Sequence, residues 1–191
     1  MDARVYICLF DLRAYDDRVA PAMRQYAREF EPAGVVALLK RVDGDHKHWI
    51  DAIGPDKGYK PSAQTVQELC NILIPEVCLP REPGLNPMQD ADILLPWLGE
   101  RSEWFSDLMD GGEELAGGRL EFGFGDGRLV ATREQILQFL EEVRELKPPA
   151  AGAEVLAKHL ENLRRLLERA GEVRNYTLFK TALESATGAA L

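Results

Sequence analysis

Cysteine is scarce in this chain. Only Cys8, Cys70 and Cys78 occur among its 191 residues. The number is odd, and no spacing matches C-x-x-C or a zinc pattern, so a disulfide scaffold and a cysteine zinc site are both excluded. Cys8 lies in an apolar run and Cys70 on the apolar side of a helix, where free cysteine behaves as a small hydrophobe. A reducing cytoplasm is the expected compartment. Long apolar runs are also missing. None, Val5 to Phe10 and Val35 to Leu39 included, approaches the ~18 residues that span a bilayer. The opening, MDARVYICLFDL, carries an acid at position 2, a brief apolar run and no small-residue cleavage site, so it does not read as a secretory signal. Positive charge is short as well. Lys and Arg total 23 against 32 Asp and Glu, a formal net charge of −9, with a pI near 4.9. Nucleic-acid binding needs clustered Lys and Arg, so no nucleic-acid partner is expected, and no membrane partner either.

What is present is an ordinary globular composition, 46% hydrophobic and 29% charged, which argues for a folded protein. The excess charge sits in one place. From Glu82 to Asp126 there are 11 acidic residues opposed only by Arg101 and Arg119, a net of −9, so the rest of the chain balances to zero. Trp97, Trp104 and Phe105 interleave with Glu100, Glu103 and Asp107. Acids on surface loops can simply confer solubility, and the aromatics can point into a core. A one-signed segment with aromatic anchors also suits a basic protein partner. The expected contact residues are Trp97, Glu100, Glu103, Trp104, Asp107, Asp110, Glu113 and Glu114.

The pattern predicts an α+β fold: a small sheet with a β-hairpin, flanking helices and a C-terminal helical pair. Arg4 to Asp11 reads as a strand buried on both faces. Asp16 or Asp17 caps a helix with Val19, Met23, Tyr26 and Phe30 inward and Pro21 in its first turn. A short helix follows from Pro32 to Arg41. Residues 43–61 read as an irregular connection. Ser62 opens a helix with Val66, Leu69, Cys70 and Leu73 buried, ended by Pro75. Residues 75–92 hold four prolines and read as extended loop, with a short helix from Ser102 to Met109 beyond. Leu120, Phe122 and Phe124 alternate with Glu121 and Gly123, and Asp126-Gly127 supplies a two-residue turn that sets Phe124 opposite Leu129. Thr132-x-x-Gln135 is a capping box for a helix with Ile136, Leu140 and Val143 on one face. The expected organisation is an α+β domain over 1–147, a linker at 148–152 and, over 153–191, two antiparallel helices packed on the domain. The first carries Leu156, Leu160, Leu163 and Leu167; the second runs from about Asn175 to Ala186.

Chemistry-bearing motifs are sparse. Asp43-Gly44-Asp45-His46-Lys47-His48-Trp49, with Asp51 and Asp56, is the one cluster of metal-ligand residue types. His46 and His48 would share a face if this stretch were a strand. It is not a calcium loop, because Lys47 and His48 stand where an EF-hand needs an oxygen ligand and a glycine. A solvated polar loop explains it better, so no metal and no cofactor are assigned. Gly123-Phe124-Gly125-Asp126-Gly127 lacks the lysine of a phosphate loop, and a tight hairpin accounts for its glycines. His159 falls on the apolar side of a leucine-rich helix. No Ser or Cys has the setting of a nucleophile, and catalytic residues stay unknown.

Trp104, then Gly111-Gly112-Glu113-Glu114, then Gly123-Phe124-Gly125, Leu129, Val130 and the capped Thr132-Arg133-Glu134-Gln135-Ile136, resemble the closing part of uncharacterised bacterial YfbM-like proteins, over about residues 104–143. The resemblance implies a small α+β fold and brings no established catalytic residue. The leading expectation is a cytoplasmic protein-binding module, of inhibitor or immunity type, presenting an acidic face to a basic partner. The alternative is a small, divalent-metal-dependent enzyme with its site near residues 43–56. A homo-oligomer held by the C-terminal helices is a third reading.

Overall fold

A computed structural model of the protein describes residues 4–54, 60–83, 85, 91–101, 119–124, 127–147 and 153–183. The fold is α+β. In chain order the elements are β1 (Arg4–Asp11), a helical run α1 (12–29), α2 (Ala33–Leu39), α3 (Lys47–Ile53), α4 (Ala63–Cys78), α5 (Ala91–Gly99), β2 (Arg119–Phe124), β3 (Gly127–Val130), α6 (Arg133–Glu145), α7 (Glu154–Glu172) and β4 (Tyr176–Leu183). The four strands form one sheet in the order β1-β4-β3-β2. Two compact units share the chain. One takes β1 through Phe10, with α5, β3, α6, α7 and β4. The other takes the described residues of Asp11–Pro80 together with Glu121–Phe124.

In the first unit the last strand of the sequence sits beside the first. β4 pairs antiparallel with β3, Leu129 opposite Lys180 and Val130 opposite Phe179. Phe179 is fully buried and stacks on Phe10, ring centroids 5.0 Å apart. The Cys8 thiol donates to the Phe179 carbonyl at 3.7 Å. Thr177, a buried polar residue, donates its hydroxyl to the Ala131 carbonyl, which satisfies a group that burial would otherwise penalise. Over Tyr176–Leu183 the expected second C-terminal helix is therefore a strand, and the described residues hold no C-terminal helical pair. Leu178, Phe179, Ala182 and Leu183 fit a helical stripe, but Tyr176, Thr177, Phe179 and Thr181 are β-formers, and sheet pairing outweighs local helix propensity.

α7 spans 19 residues and packs on α5, α6 and β4. Its apolar stripe, Leu160, Leu163, Leu166, Leu167 and Ala170, is buried against Ile136, Phe139, Leu140 and Val143 of α6 and against Leu94 and Leu98 of α5. α6 opens with the expected capping box. Gln135 N–H donates to Thr132 Oγ1 at 3.2 Å, and Thr132 N–H donates to Gln135 Oε1 at 2.8 Å. At its other end the Arg164 guanidinium donates to the carbonyls of Val143 and Leu146, covering orphan acceptors and countering the negative end of the helix.

The second unit is helical. α1 starts earlier than its sequence suggests. Asp11, rather than Asp16 or Asp17, is the cap, and its Oδ1 accepts from Ala14 N–H at 3.1 Å. Pro21 consequently lies in mid-run. The run accommodates it by widening to a π turn over Tyr15–Val19, where Ala20 N–H reaches back to the Tyr15 carbonyl. A wider turn just before a proline makes room for a ring that would clash in a regular α-helix. A second π turn, Gln25–Glu29, ends at Phe30, which is left-handed (φ 61°) and 40% exposed, not inward as expected. α2 lies close to α1 because Gly34 has no side chain. A Cβ there would stand 3.1 Å from that of Ala22. α4 begins at Ser62, whose Oγ accepts from Thr65 N–H at 3.0 Å. Leu69, Cys70 and Leu73 are buried as expected, and Val66 only partly. Pro75 does not end α4. The helix continues to Cys78, and complete burial of Ile74 and Cys78 offsets the lost hydrogen bond. The buried Tyr15 hydroxyl accepts from Phe122 N–H at 2.8 Å, capping a donor on the outermost strand of the sheet.

α3 occupies ground read as an irregular connection, within 43–61, while α5 overlaps the expected loop 75–92 only at Ala91 and Asp92 and otherwise lies where no element was expected. α5 carries Pro96 inside it. Gly127 is the first residue of β3 and not part of a two-residue turn. Asp126, the side chains of Phe124 and Leu129, the expected helix from Ser102 to Met109 and the linker at 148–152 lie outside what the structure describes.

Phe179→Ala is expected to cost about 3–5 kcal/mol, from lost burial and the cavity left beside Phe10. Chemical denaturation of parent and variant measures it. A midpoint that does not move would mean that the ring is not in the core.

Candidate functional site

Of the eight expected contact residues the structure places two. Trp97 lies on α5, partly buried against the core of the first unit, and Glu100 just follows that helix, exposed. Glu103, Trp104, Asp107, Asp110, Glu113 and Glu114 lie outside the described residues. Helical spacing brings Trp97, Glu100 and Arg101 together. The Arg101 guanidinium sits 4.4 Å from the centre of the Trp97 ring. It donates to the Trp97 carbonyl at 2.8 Å and pairs with Glu100 at 3.1 Å. A cation over an indole face is attracted by the ring quadrupole. The indole Nε1–H, in contrast, is shut away from solvent and has no acceptor among the described residues.

The two other acids of the 82–126 segment with described side chains are also matched by arginine. Glu82 takes a two-pronged contact from Arg169 in the first unit, Nε at 2.6 Å and Nη2 at 2.9 Å. Arg169 also reaches Glu172 at 3.1 Å and lies over the Tyr176 ring. The hydrogen bond from Arg169 lowers the Glu82 carboxyl below its ordinary range and raises the guanidinium in turn. In the second unit Glu121 accepts from Arg24 at 2.7 Å and from Arg28 at 2.6 Å. Arg24 is raised by that hydrogen bond. Glu82, Glu100 and Glu121 thus spend charge inside the chain, so none of the three is a bare acid waiting for a cation.

The histidine-rich stretch is the start of α3 and not a strand. His46 is its N-cap, and residues two apart on a helix do not share a face, so His46 and His48 part company. Asp45 Oδ1 accepts from Lys47 N–H at 3.1 Å, an acceptor at a helix start in place of a metal ligand. His46 Nε2–H donates to the Asp43 carbonyl at 2.8 Å, its ring lying against Gly44, which adopts φ 111°. Among the described residues no group of three or more His, Cys, Asp or Glu side chains could hold a metal ion. No helix among them is long and apolar enough to cross a membrane.

Beside this stretch the second unit opens a cleft of about 220 Å³ that the sequence did not announce. Tyr26, Phe30, Trp49, Ile53, Lys60 and Thr65 are among its walls. Among the described residues of the lining there is no carboxylate, imidazole or thiol. Its signal in the sequence was faint: an unexplained Trp49 after the histidines, and Lys60-Pro61-Ser62 just before a helix. The thiols offer no nucleophile. Burial pushes Cys8 up to about 12 and raises Cys78 as well. No family model, curated protein or solved structure matches the chain.

The Arg169 contact makes a pH prediction. A carboxyl lowered on folding contributes stability that is present above its unfolded value, near 4.5, and is lost as pH falls through its folded value. Glu82→Gln is therefore expected to be less stable than the parent at about pH 7, with the difference closing in the acid range below pH ~4.5. Denaturation midpoints across that range decide it. A gap that persists unchanged into strong acid would assign the loss to packing.

Proposed function

We propose that the chain is a cytoplasmic protein-binding module that meets a basic partner through the acidic segment 82–126. The observation that carries this reading is the charge census. Eleven acids stand against Arg101 and Arg119 within the segment. The three acids with described side chains already hold an arginine, and Arg101, one of the segment's own two cations, is engaged with Trp97 and Glu100. The remaining eight acids have no comparable supply within the segment. Trp97 supports the same reading. It is a large, partly buried ring beside the exposed Glu100. The region around residues 43–56, the site of the alternative enzyme reading, borders a cleft whose described walls suit binding better than acid–base catalysis.

Charges at an interface rim mainly steer encounter, and salt screens them over ~8 Å at physiological ionic strength. Reversing Glu103, Asp107 and Glu113 to Lys together is expected to slow association more than it speeds dissociation, and to flatten the salt dependence. Pull-down from native lysate with parent and triple variant, then association kinetics at low and high salt on any captured basic protein, measures both. Binding indifferent to salt and to the reversal would reduce the segment to a solubilising surface.

A further inference from the structure

We propose that the cleft of the second unit is a binding site for a small, planar aromatic carboxylate. This is independent of the acidic segment, and failure of one leaves the other standing.

Phe30 is the starting point. It is the one non-glycine residue with positive φ among those described, and it is also one of the few large apolar side chains left exposed. Left-handed backbone is costly for a bulky residue, and so is an apolar ring in water. Glycine or asparagine would end the helix without either cost. Two penalties at one residue, on the wall of a cleft, mark a ring held out for contact.

The walls choose the ligand. Phe30, Trp49 and Tyr26 offer ring faces and edges, which favour a flat aromatic guest by offset or edge-on packing. A volume of about 220 Å³ lies below the ~300–1,000 Å³ typical of drug-sized ligands, so one ring system fills it. Among the described residues Lys60 is the only formally charged one in the lining, and no described carboxylate opposes it there. Ser62 and Thr65 line the same side. Their hydroxyls lie 2.8 Å apart and share one hydrogen, which leaves the second hydroxyl hydrogen free to donate. These residues form the first turn of α4, whose positive end adds to the same preference. Aromatic walls, an exposed cation and a spare hydroxyl donor together describe a ring carrying a carboxylate. A cationic guest would face Lys60, and a neutral ring would leave the amine and the hydroxyl unanswered.

The test uses the full ¹⁵N-labelled chain, with indole-3-carboxylate and neutral indole as probes. The indole N–H of Trp49, assigned with Trp49→Phe, is followed during titration. The carboxylate should shift it saturably while the Trp97 signal stays put, and neutral indole should bind about tenfold more weakly or worse. Lys60→Gln should weaken the carboxylate about tenfold and leave indole unchanged, with Lys60→Arg retaining binding. Lys60 is exposed, so both variants should keep the parent amide spectrum. A Trp49 signal unmoved at about 10 mM would overturn the proposal. So would equal affinity for both probes, or a Lys60→Gln variant that binds like the parent. A peptide ending in tryptophan that outcompetes the free acid by more than about tenfold would overturn the small-molecule assignment.

Discussion

The sheet depends on a contact made across almost the whole chain. Cys8 and Phe10 on the first strand meet Phe179 on the last. Their strands are neighbours, and β3 lies on the far side of β4. Two of these partners are 171 positions apart. Closing so long a loop costs about 4.5 kcal/mol in chain entropy, beyond a constant. The return is a fully buried aromatic stack, a buried hydroxyl satisfied by Ala131, and a surface on which α6 and α7 can lie. Between β1 and the remainder of that unit the chain departs to build a second, largely local helical unit. Topologies of this kind fold more slowly than their stability suggests, because the distant pairing comes late.

Arginine is the second organising element. Arg164 closes the end of α6, Arg169 holds Glu82 and Glu172, and Arg24 and Arg28 share Glu121. The planar, multi-pronged guanidinium suits each of these tasks, and lysine would not replace it. Exposed pairs of this sort contribute little to stability individually. Their consequence is electrostatic: they remove Glu82 and Glu121 from the charge available to an outside partner.

Much of this was legible in the sequence, and the failures have physical causes. The continuous apolar run of β1, the Ser62 cap of α4 and the Thr132–Gln135 box of α6 are local signals that tertiary context did not override. Prolines misled. Pro21, Pro75 and Pro96 all lie within helical segments, sustained by a π turn in the first case and by burial of neighbouring side chains in the second. β4 was read as helix because its spacing satisfies both periods, and its partner strand lies about fifty residues away, beyond any local window. The histidine stretch pointed to the right neighbourhood for the wrong reason. The rings that matter for the cleft are Trp49 and Phe30, and an exposed left-handed phenylalanine cannot be foreseen from a pattern that turns the same ring inward.

The three cysteines carry a consequence for chemical behaviour. Each is buried and none is in a disulfide. For a thiol pushed up to about 12, the reactive thiolate is roughly one part in 10⁵ near pH 7. Alkylating agents, peroxide and disulfide exchange all act through that thiolate and need access to it. Labelling by such reagents should therefore report unfolding and little else. A change in the redox state of the surroundings would reach these sulfurs only through the denatured chain.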